Sequence, residues 1–205
     1  MTSGMEKEYQ VRVLNMEEIE RVYLGPAQRH FPANELKPLK AIGRMYGDGC
    51  YEALGLFDGE KLVAYAFYVQ TPDKQNRLLD YYAVMEEYRC NGVGGLFLAK
   101  MREWYRDCQG IILETEDLAL AQNEEERCTR ERRNAFYVRN GVVETAIRAS
   151  YYSADYQIFY LPIKEEKCVE QIYEELVRIY RVMFLEKFEE IVNMTMPFSK
   201  GAILD

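Results

Sequence analysis

Ala83-Val84-Met85-Glu86-Glu87-Tyr88-Arg89-Cys90-Asn91-Gly92-Val93-Gly94-Gly95 is the stretch on which the reading of this chain turns. It is preceded by Leu78 to Val84, a nearly continuous apolar run of the kind a strand shows when both its faces are buried. It is followed by Val93, Leu96, Phe97, Met101, Trp104 and Tyr105 at helical spacing, with Lys100, Arg102, Glu103 and Arg106 on the opposite side. Glycines between a strand and a helix let the backbone turn tightly and approach a ligand closely. The unpaired N–H groups of the first helical turn, with the helix dipole behind them, suit an anion such as a pyrophosphate. No Gly-Lys-Ser/Thr follows, so this is not the Walker nucleotide loop. The spacing, position and downstream acid of the Rossmann fingerprint are missing too. Taken alone, such a turn also serves as a plain strand-to-helix connection.

Working outward, Glu8 to Leu14 alternates as a strand, and Asn15 caps a helix that opens with acids. Gly25-Pro26 and Phe31-Pro32 are expected to break the chain before a short helix over 35–46. Two apolar runs, 51–57 and 62–70, flank Asp58-Gly59 and form a hairpin, followed by a polar loop over 71–77. Gly110 is expected to stop the helix after the glycines, and 110–114 forms the next strand. A Glu- and Arg-rich helix over 123–140 ends on Asn140-Gly141, and strands follow at 142–150 and 156–161. After Pro162, 165–194 reads as a single amphipathic helix. This order gives an α/β fold with a mixed central sheet flanked by helices and an extra long C-terminal helix. The domain is expected over 5–162, the helical extension over 163–205, and Met1 to Gly4 is set aside as an expression remnant ahead of Met5.

Composition narrows the function. Apolar residues make up 48% and charged residues 29% of 205 residues, ordinary for a globular domain. A formal charge of −8 argues against nucleic acid as a partner. The five cysteines are scattered without a CxxC pair, and His30 is the only histidine, so neither a disulfide framework nor a metal site is expected. No apolar run approaches the roughly 20 residues of a membrane span, and the polar N-terminus lacks a signal-peptide core. These features together predict a cytoplasmic protein with neither membrane nor nucleic-acid partner.

The segment from Ala83 to Gly94 resembles the cofactor motif of the GNAT N-acetyltransferases, Ala-Val-x-Pro-x-Tyr-Arg-x-x-Gly-x-Gly. Ala135-Phe136-Tyr137-Val138-Arg139-Asn140-Gly141 resembles that family's second signature, a Phe/Leu-Tyr followed four residues later by Gly. The match in element order spans about 8–161. The resemblance implies transfer of the acetyl group of acetyl-CoA to an amine by direct attack, without a metal. It implies that the amides of Ala83, Val84 and Met85 bind pantetheine. It also implies that Arg89, Cys90, Asn91, Gly92, Val93, Gly94 and Gly95 bind pyrophosphate, with Asn134 added to the cofactor set. It makes Tyr137 the acid that protonates the departing thiolate and Glu114 a candidate base. The sequence departs from the motif at Glu86 (Pro in many members), Arg130 (Asn), Arg133 (Ala) and Val143 (Phe), which leaves the side-chain contacts of 123–134 open.

Plainer readings stand beside these. Glu114 equally reads as a strand-end carboxylate facing water. Asp80 interrupts a buried strand, so it either binds or deprotonates the amine or pairs with a structural Arg or Tyr. Arg127, Arg130, Arg132 and Arg133 either reach phosphates or form an ion-paired face with Glu124, Glu125, Glu126 and Glu131. His30 reads as a surface histidine and Cys90 as a bystander. The acceptor is a small-molecule amine, or a peptide N-terminus or lysine. The alternative function is a non-catalytic acyl-CoA-binding or sensor module of the same fold. The stripe Val169, Ile172, Tyr173, Leu176, Ile179, Tyr180, Met183, Phe184, Phe188 and Ile191 predicts a homodimer through the far end of the final helix.

Overall fold

The computed structural model describes residues 8–152 and 154–196; the expected starts at Met1 and Met5 and the end of the 163–205 extension lie outside them. The fold is the expected mixed α/β one. Strand β1 (Gln10–Val13) leads into α1 (Met16–Val22), whose start is fixed by a capping box. Asn15 Oδ1 accepts from the Glu18 amide at 3.0 Å, and Glu18 Oε2 accepts from the Asn15 amide at 3.0 Å. Gly25-Pro26 does not break the chain as expected. Helical backbone continues through a wide π turn (Tyr23–Ala27) into α2 (Gln28–His30), because the wider turn spares the hydrogen bond that Pro26 cannot donate. Helix α3 (Leu39–Gly47) starts four residues later than the sequence suggested, after Pro38.

The hairpin β2 (Tyr51–Asp58) and β3 (Lys61–Gln70) forms as read, and β4 (Asn76–Val84) returns beside it. Then come α4 (Val93–Trp104), β5 (Gly110–Glu116), α5 (Glu124–Arg139), β6 (Val143–Tyr151) and β7 (Ala154–Pro162). Gly110 does not end α4; it opens β5, packed against Tyr160. The tail differs most. Helix α6 (Val169–Phe184) stops at Leu185, whose φ is +54°, and gives way to a short α7 (Phe188–Ile191) and a strand β8 (Asn193–Thr195). The sequence hid this stop because Phe184 and Phe188 keep helical spacing across it.

Among the described residues eight strands lie in the order β1-β2-β3-β4-β5-β7-β6-β8, with β4 and β5 the one parallel pair. One face of the sheet carries α1, α3 and α6 through Ile19, Ile42, Leu176 and Tyr180. The other carries α4 and α5 through Phe97, Met101 and Tyr137. The apolar stripe of α6 is used within the chain: Met183, Phe184 and Phe188 join the first core, and Ile191 packs against it. The stripe therefore gives no ground for a second subunit. Strand β8 closes the edge of β6, with Ala149 facing Met194.

The feature that makes room for a site lies in β4. Strands β4 and β5 pair only from Asn76 to Leu79 and from Gly110 to Leu113. Beyond this, β4 stays with β3 to Val84 and β5 stays with β7 to Glu116, so the two diverge. The split coincides with a bulge: Phe67 faces Tyr81 and Tyr68 faces Leu79, which leaves Asp80 as the extra residue of β4. A bulge bends its strand and increases its twist. It also changes the alternation, so Leu78 and Tyr81 share one core where an even strand would place them on opposite faces. The divergence opens a cleft of about 740 Å³.

The interrupted tail can be tested by unfolding in urea. Leu185→Gly should leave stability unchanged or raise it by about 1 kcal/mol, because it relieves a left-handed leucine; in one continuous helix the same change would lower stability by about 1 kcal/mol. Phe188→Ala should lower it by about 3 kcal/mol as a core deletion.

Candidate active site

The cleft runs from the glycine turn to the far side of the β4–β5 split. At its first end, Gly92 caps α4 in the left-handed region, φ +74°, with no side chain supplying a cap. Cys90 is also left-handed, at φ +62°. The first intrahelical acceptor used is Gly92 C=O, by the Leu96 amide at 3.1 Å, so the amides of Val93, Gly94 and Gly95 have no partner among the described residues. Space around Gly92 is open, and what glycine supplies there is its φ. Gly94 and Gly95 serve close packing instead. A Cβ on Gly94 would stand 3.2 Å from the Phe136 ring, and one on Gly95 2.9 Å from Asn140 Oδ1. Tyr82 O–H donates to Gly94 C=O at 2.6 Å. The turn is thus held on α5 and β4.

The middle of the cleft is lined by main chain. The Met85 amide donates to Val63 C=O at 2.9 Å, so it is spent within the sheet and is not free for pantetheine as expected. Bonding direction alternates along an antiparallel ladder, so Ala83 likewise faces β3, while Tyr82 and Val84 turn towards the cleft. The Val84 carbonyl confirms the phase: it accepts from Arg89 Nε at 3.1 Å. Of the expected trio only Val84 presents its amide, and Tyr82 is the one the sequence did not suggest. Met85, Asn91 and Asn134 lie outside the lining of the cleft; Asn134 Oδ1 is buried without a partner among the described residues.

The far end carries the ionisable groups. Asp80 is not a free base. Its side chain is 1% exposed, Lys37 Nζ pairs with Oδ1, and Tyr51 O–H donates to Oδ2 at 2.7 Å. With one oxygen paired to an ammonium and the other bonded by a phenol it acts as a counter-ion, the pairing role foreseen for it, with Lys and Tyr as partners. Burial works against the Lys37 ammonium, but Asp80 and then Glu114 outweigh it and hold its pKa above the usual value. Glu114 does not stand at a strand end facing water. Strand β5 continues to Glu116, and the Glu114 carboxylate accepts from Tyr151 O–H at 3.0 Å and from Tyr180 O–H. Burial raises its pKa, opposed by Lys37 and by the two tyrosines. Tyr137 is buried, and loss of water pushes its pKa up to about 12. Its hydroxyl has no hydrogen-bond partner among the described residues, and the residue lines the cleft.

Sequence reasoning also misplaced His30. It lines the cleft, stacks on Tyr65, and its Nδ1 lies 2.9 Å from Tyr65 Oη. Its buried Nε2 has no partner among the described residues, and burial, followed by Arg89, depresses its pKa. Arg130 and Arg133 resolve the departures in α5. Arg130 is buried and bonds Glu116 at 3.1 Å, Glu126 at 2.5 Å and the Asp117 carbonyl, while Arg133 bonds Glu116 at 3.1 Å. Arg127 pairs with Glu124 and Glu131. These arginines form the ion-paired network. Lys37, Tyr151 and Tyr180 left no local sign in the sequence, since each reaches Asp80 or Glu114 from a distant element.

A model of the "Acetyltransferase (GNAT) family" matches residues 15–124, a stretch that holds the glycine turn and ends before Tyr137. The fold is similar to that of solved structures. The ribosomal-protein-S18-alanine N-acetyltransferase of Escherichia coli is 21% identical, covers 78% of this chain and 97% of its own, and gives a TM-score of 0.56. A putative GNAT acetyltransferase of Bacteroides thetaiotaomicron is 18% identical over 82% of this chain and 93% of its own, with a TM-score of 0.61. The spermidine N-acetyltransferase of Vibrio cholerae, solved in complex with CoA and spermine, is 9% identical over 77% of this chain and 97% of its own, with a TM-score of 0.56. No curated protein matches the sequence.

The environment of Glu114 has a measurable consequence. Its folded pKa is raised, so its contribution favours the fold while it is protonated and is lost as pH rises from the unfolded value, 4.5, through the folded one. Glu114→Gln should flatten the stability–pH curve above 4.5. Urea unfolding across that range should show the variant losing less stability than the native protein; parallel curves would place the shift elsewhere.

Proposed function

The chain belongs to the acetyltransferase (GNAT) family, and on that premise we propose that it transfers an acetyl group from acetyl-CoA to an amine by direct attack. The observation that carries this reading is one cleft lined by helix N-terminal amides without partners among the described residues, by Tyr137 with its hydroxyl likewise unengaged, and by the Glu114 carboxylate. When bound, acetyl-CoA supplies the activated thioester.

The residues present fit the coenzyme. The amides of Val93, Gly94 and Gly95, with the positive end of α4 behind them and Arg89 beside them, match a pyrophosphate. The Tyr82 and Val84 main chain, turned towards the cleft, matches the amides of a pantetheine arm. Cys90 and Asn91 belong to the same turn through their main chain; Ala83, Met85 and Asn134 drop out of the set.

The chemistry then falls to two side chains. An amine arriving as an ammonium must lose a proton before its nitrogen can attack. Glu114 accepts that proton, directly or through water, and the Lys37 charge nearby favours its ionised form. Tyr137, neutral at any ordinary pH, holds a proton for the departing sulfur. The first amine proton passes to Glu114 and on to water before attack. As the C–N bond forms and the C–S bond breaks, the phenol proton goes to the sulfur, and the second proton leaving the nitrogen restores the phenol through water, so that amide, thiol and neutral Tyr137 remain. Burial of Tyr137 on the core side of α5, with the neighbouring Phe136 against the glycine turn, keeps the acid in register with the cofactor end.

The direct test is thiol release from acetyl-CoA against a panel of amines. Tyr137→Phe should lower kcat by about 10²-fold with little change in coenzyme affinity measured by calorimetry. Glu114→Gln should flatten the acidic limb of the pH–rate profile. Full activity in the Phe variant removes Tyr137 from the reaction.

A further inference from the structure

The carboxylates that line the cleft are satisfied except for one. Asp80 is taken by Lys37 and Tyr51, Glu114 by Tyr151 and Tyr180, and Glu116 by Arg130 and Arg133. Glu35 lines the same cleft, and its carboxylate has no hydrogen bond or ion pair among the described residues. Its backbone is held firmly. Its N–H donates to Pro32 C=O at 3.0 Å, and its C=O accepts from Tyr81 O–H at 3.1 Å. The Lys37 amide in turn donates to Tyr81 Oη at 2.7 Å, so the segment joining α2 to α3 is pinned where it faces the cleft.

The setting of Glu35 is unfavourable to a lone anion. The residue is partly buried, and its pKa is raised by burial first and by Glu116 second. Arg133 and Lys37 ease this from a distance, but both are committed to other carboxylates. Phe31, Pro32, Tyr81 and Tyr156 line the same part of the cleft, with Phe31 and Tyr81 edge to face at 5.0 Å. A half-desolvated carboxylate among aromatic rings is stabilised most by a cation that bonds the carboxylate and lies against the ring faces. The amine that reacts cannot be that cation, because it must be neutral when it attacks.

We infer that Glu35 binds a second cationic group of the acceptor, which makes the acceptor a small di- or polyamine. This rests on the acetyl-transfer reading above. Glu35 is then a specificity residue: it positions the acceptor by its unreacting end and takes no part in proton transfer.

The test compares α,ω-diamines with monoamines of equal chain length by thiol release. The native protein should favour the diamines in kcat/KM by about tenfold or more, the scale of one charge-assisted hydrogen bond. Glu35→Gln should bring that ratio close to one by raising KM for the diamines, with the fold checked by circular dichroism; Glu35→Asp should restore part of it. A native protein without diamine preference, or an unchanged ratio in folded Glu35→Gln, overturns the inference. If no amine consumes acetyl-CoA, the transfer reading itself fails, and calorimetry of a diamine with the protein decides the site alone. Binding that disappears in Glu35→Gln upholds the site, and absence of binding overturns it.

Discussion

The bulge at Asp80 is the constraint from which the rest of this molecule follows. An eight-stranded sheet with both faces covered would ordinarily leave no room between neighbouring strands. One extra residue in β4, set against Phe67 and Tyr68 of β3, bends that strand away from β5 after Leu79. The residue there is charged and buried, and it is stable only because Lys37 and Tyr51 meet both of its oxygens. A buried pair of this kind contributes little net stability, but removal of either member leaves a charge without a partner, at a cost of about 3–5 kcal/mol. The pair therefore fixes the place and direction of the split more than it stabilises the fold. It also ties the segment before α3 to the cleft wall.

A second layer of support comes from tyrosine. The chain has 17 of them, and several around the cleft work as buried or partly buried donors. Tyr151 from β6 and Tyr180 from α6 hold Glu114, Tyr81 holds Glu35 and Lys37 by main chain, and Tyr82 holds the glycine turn. Their pKa values are raised by burial, so each remains a neutral donor through the physiological range. Tyr137 differs in having its hydroxyl unengaged. That difference separates a structural phenol from one available to a reacting group.

The C-terminal region belongs to this architecture as much as the glycine turn does. Helix α6 delivers Tyr180 to Glu114 and packs Phe184 against Tyr151, while β8 extends the sheet beyond β6. On the opposite face, α5 touches the glycine turn through Phe136 and Asn140 and carries Tyr137 in the same turn of helix. Tyr137 and the glycine turn are thus positioned by one helix. A displacement of α5 would move Tyr137 and the glycine turn together.

The sequence by itself determined what is local. The turn at 89–95, the hairpin at Asp58-Gly59, the cap at Asn15 and the alternation of core strands are written in neighbouring residues, because caps, turns and periodicity act over a few positions. They were enough to fix the order of the strands from β1 to β7, and the motif at 83–95 led to the family. Tertiary structure alone decided the rest. Whether Asp80 is a base or a counter-ion depended on Lys37, 43 residues away, and the state of Glu114 on Tyr180, 66 residues away. The unmet carboxylate of Glu35 became visible only once every neighbour had found its partner. The stop at Leu185 was concealed by a stripe that stayed in phase across it, and the loss of Met85 from the binding set followed from a strand register that no single stretch of sequence encodes. Hydrogen bonds and ion pairs are satisfied in space, and the chain brings distant residues together only when the sheet has closed.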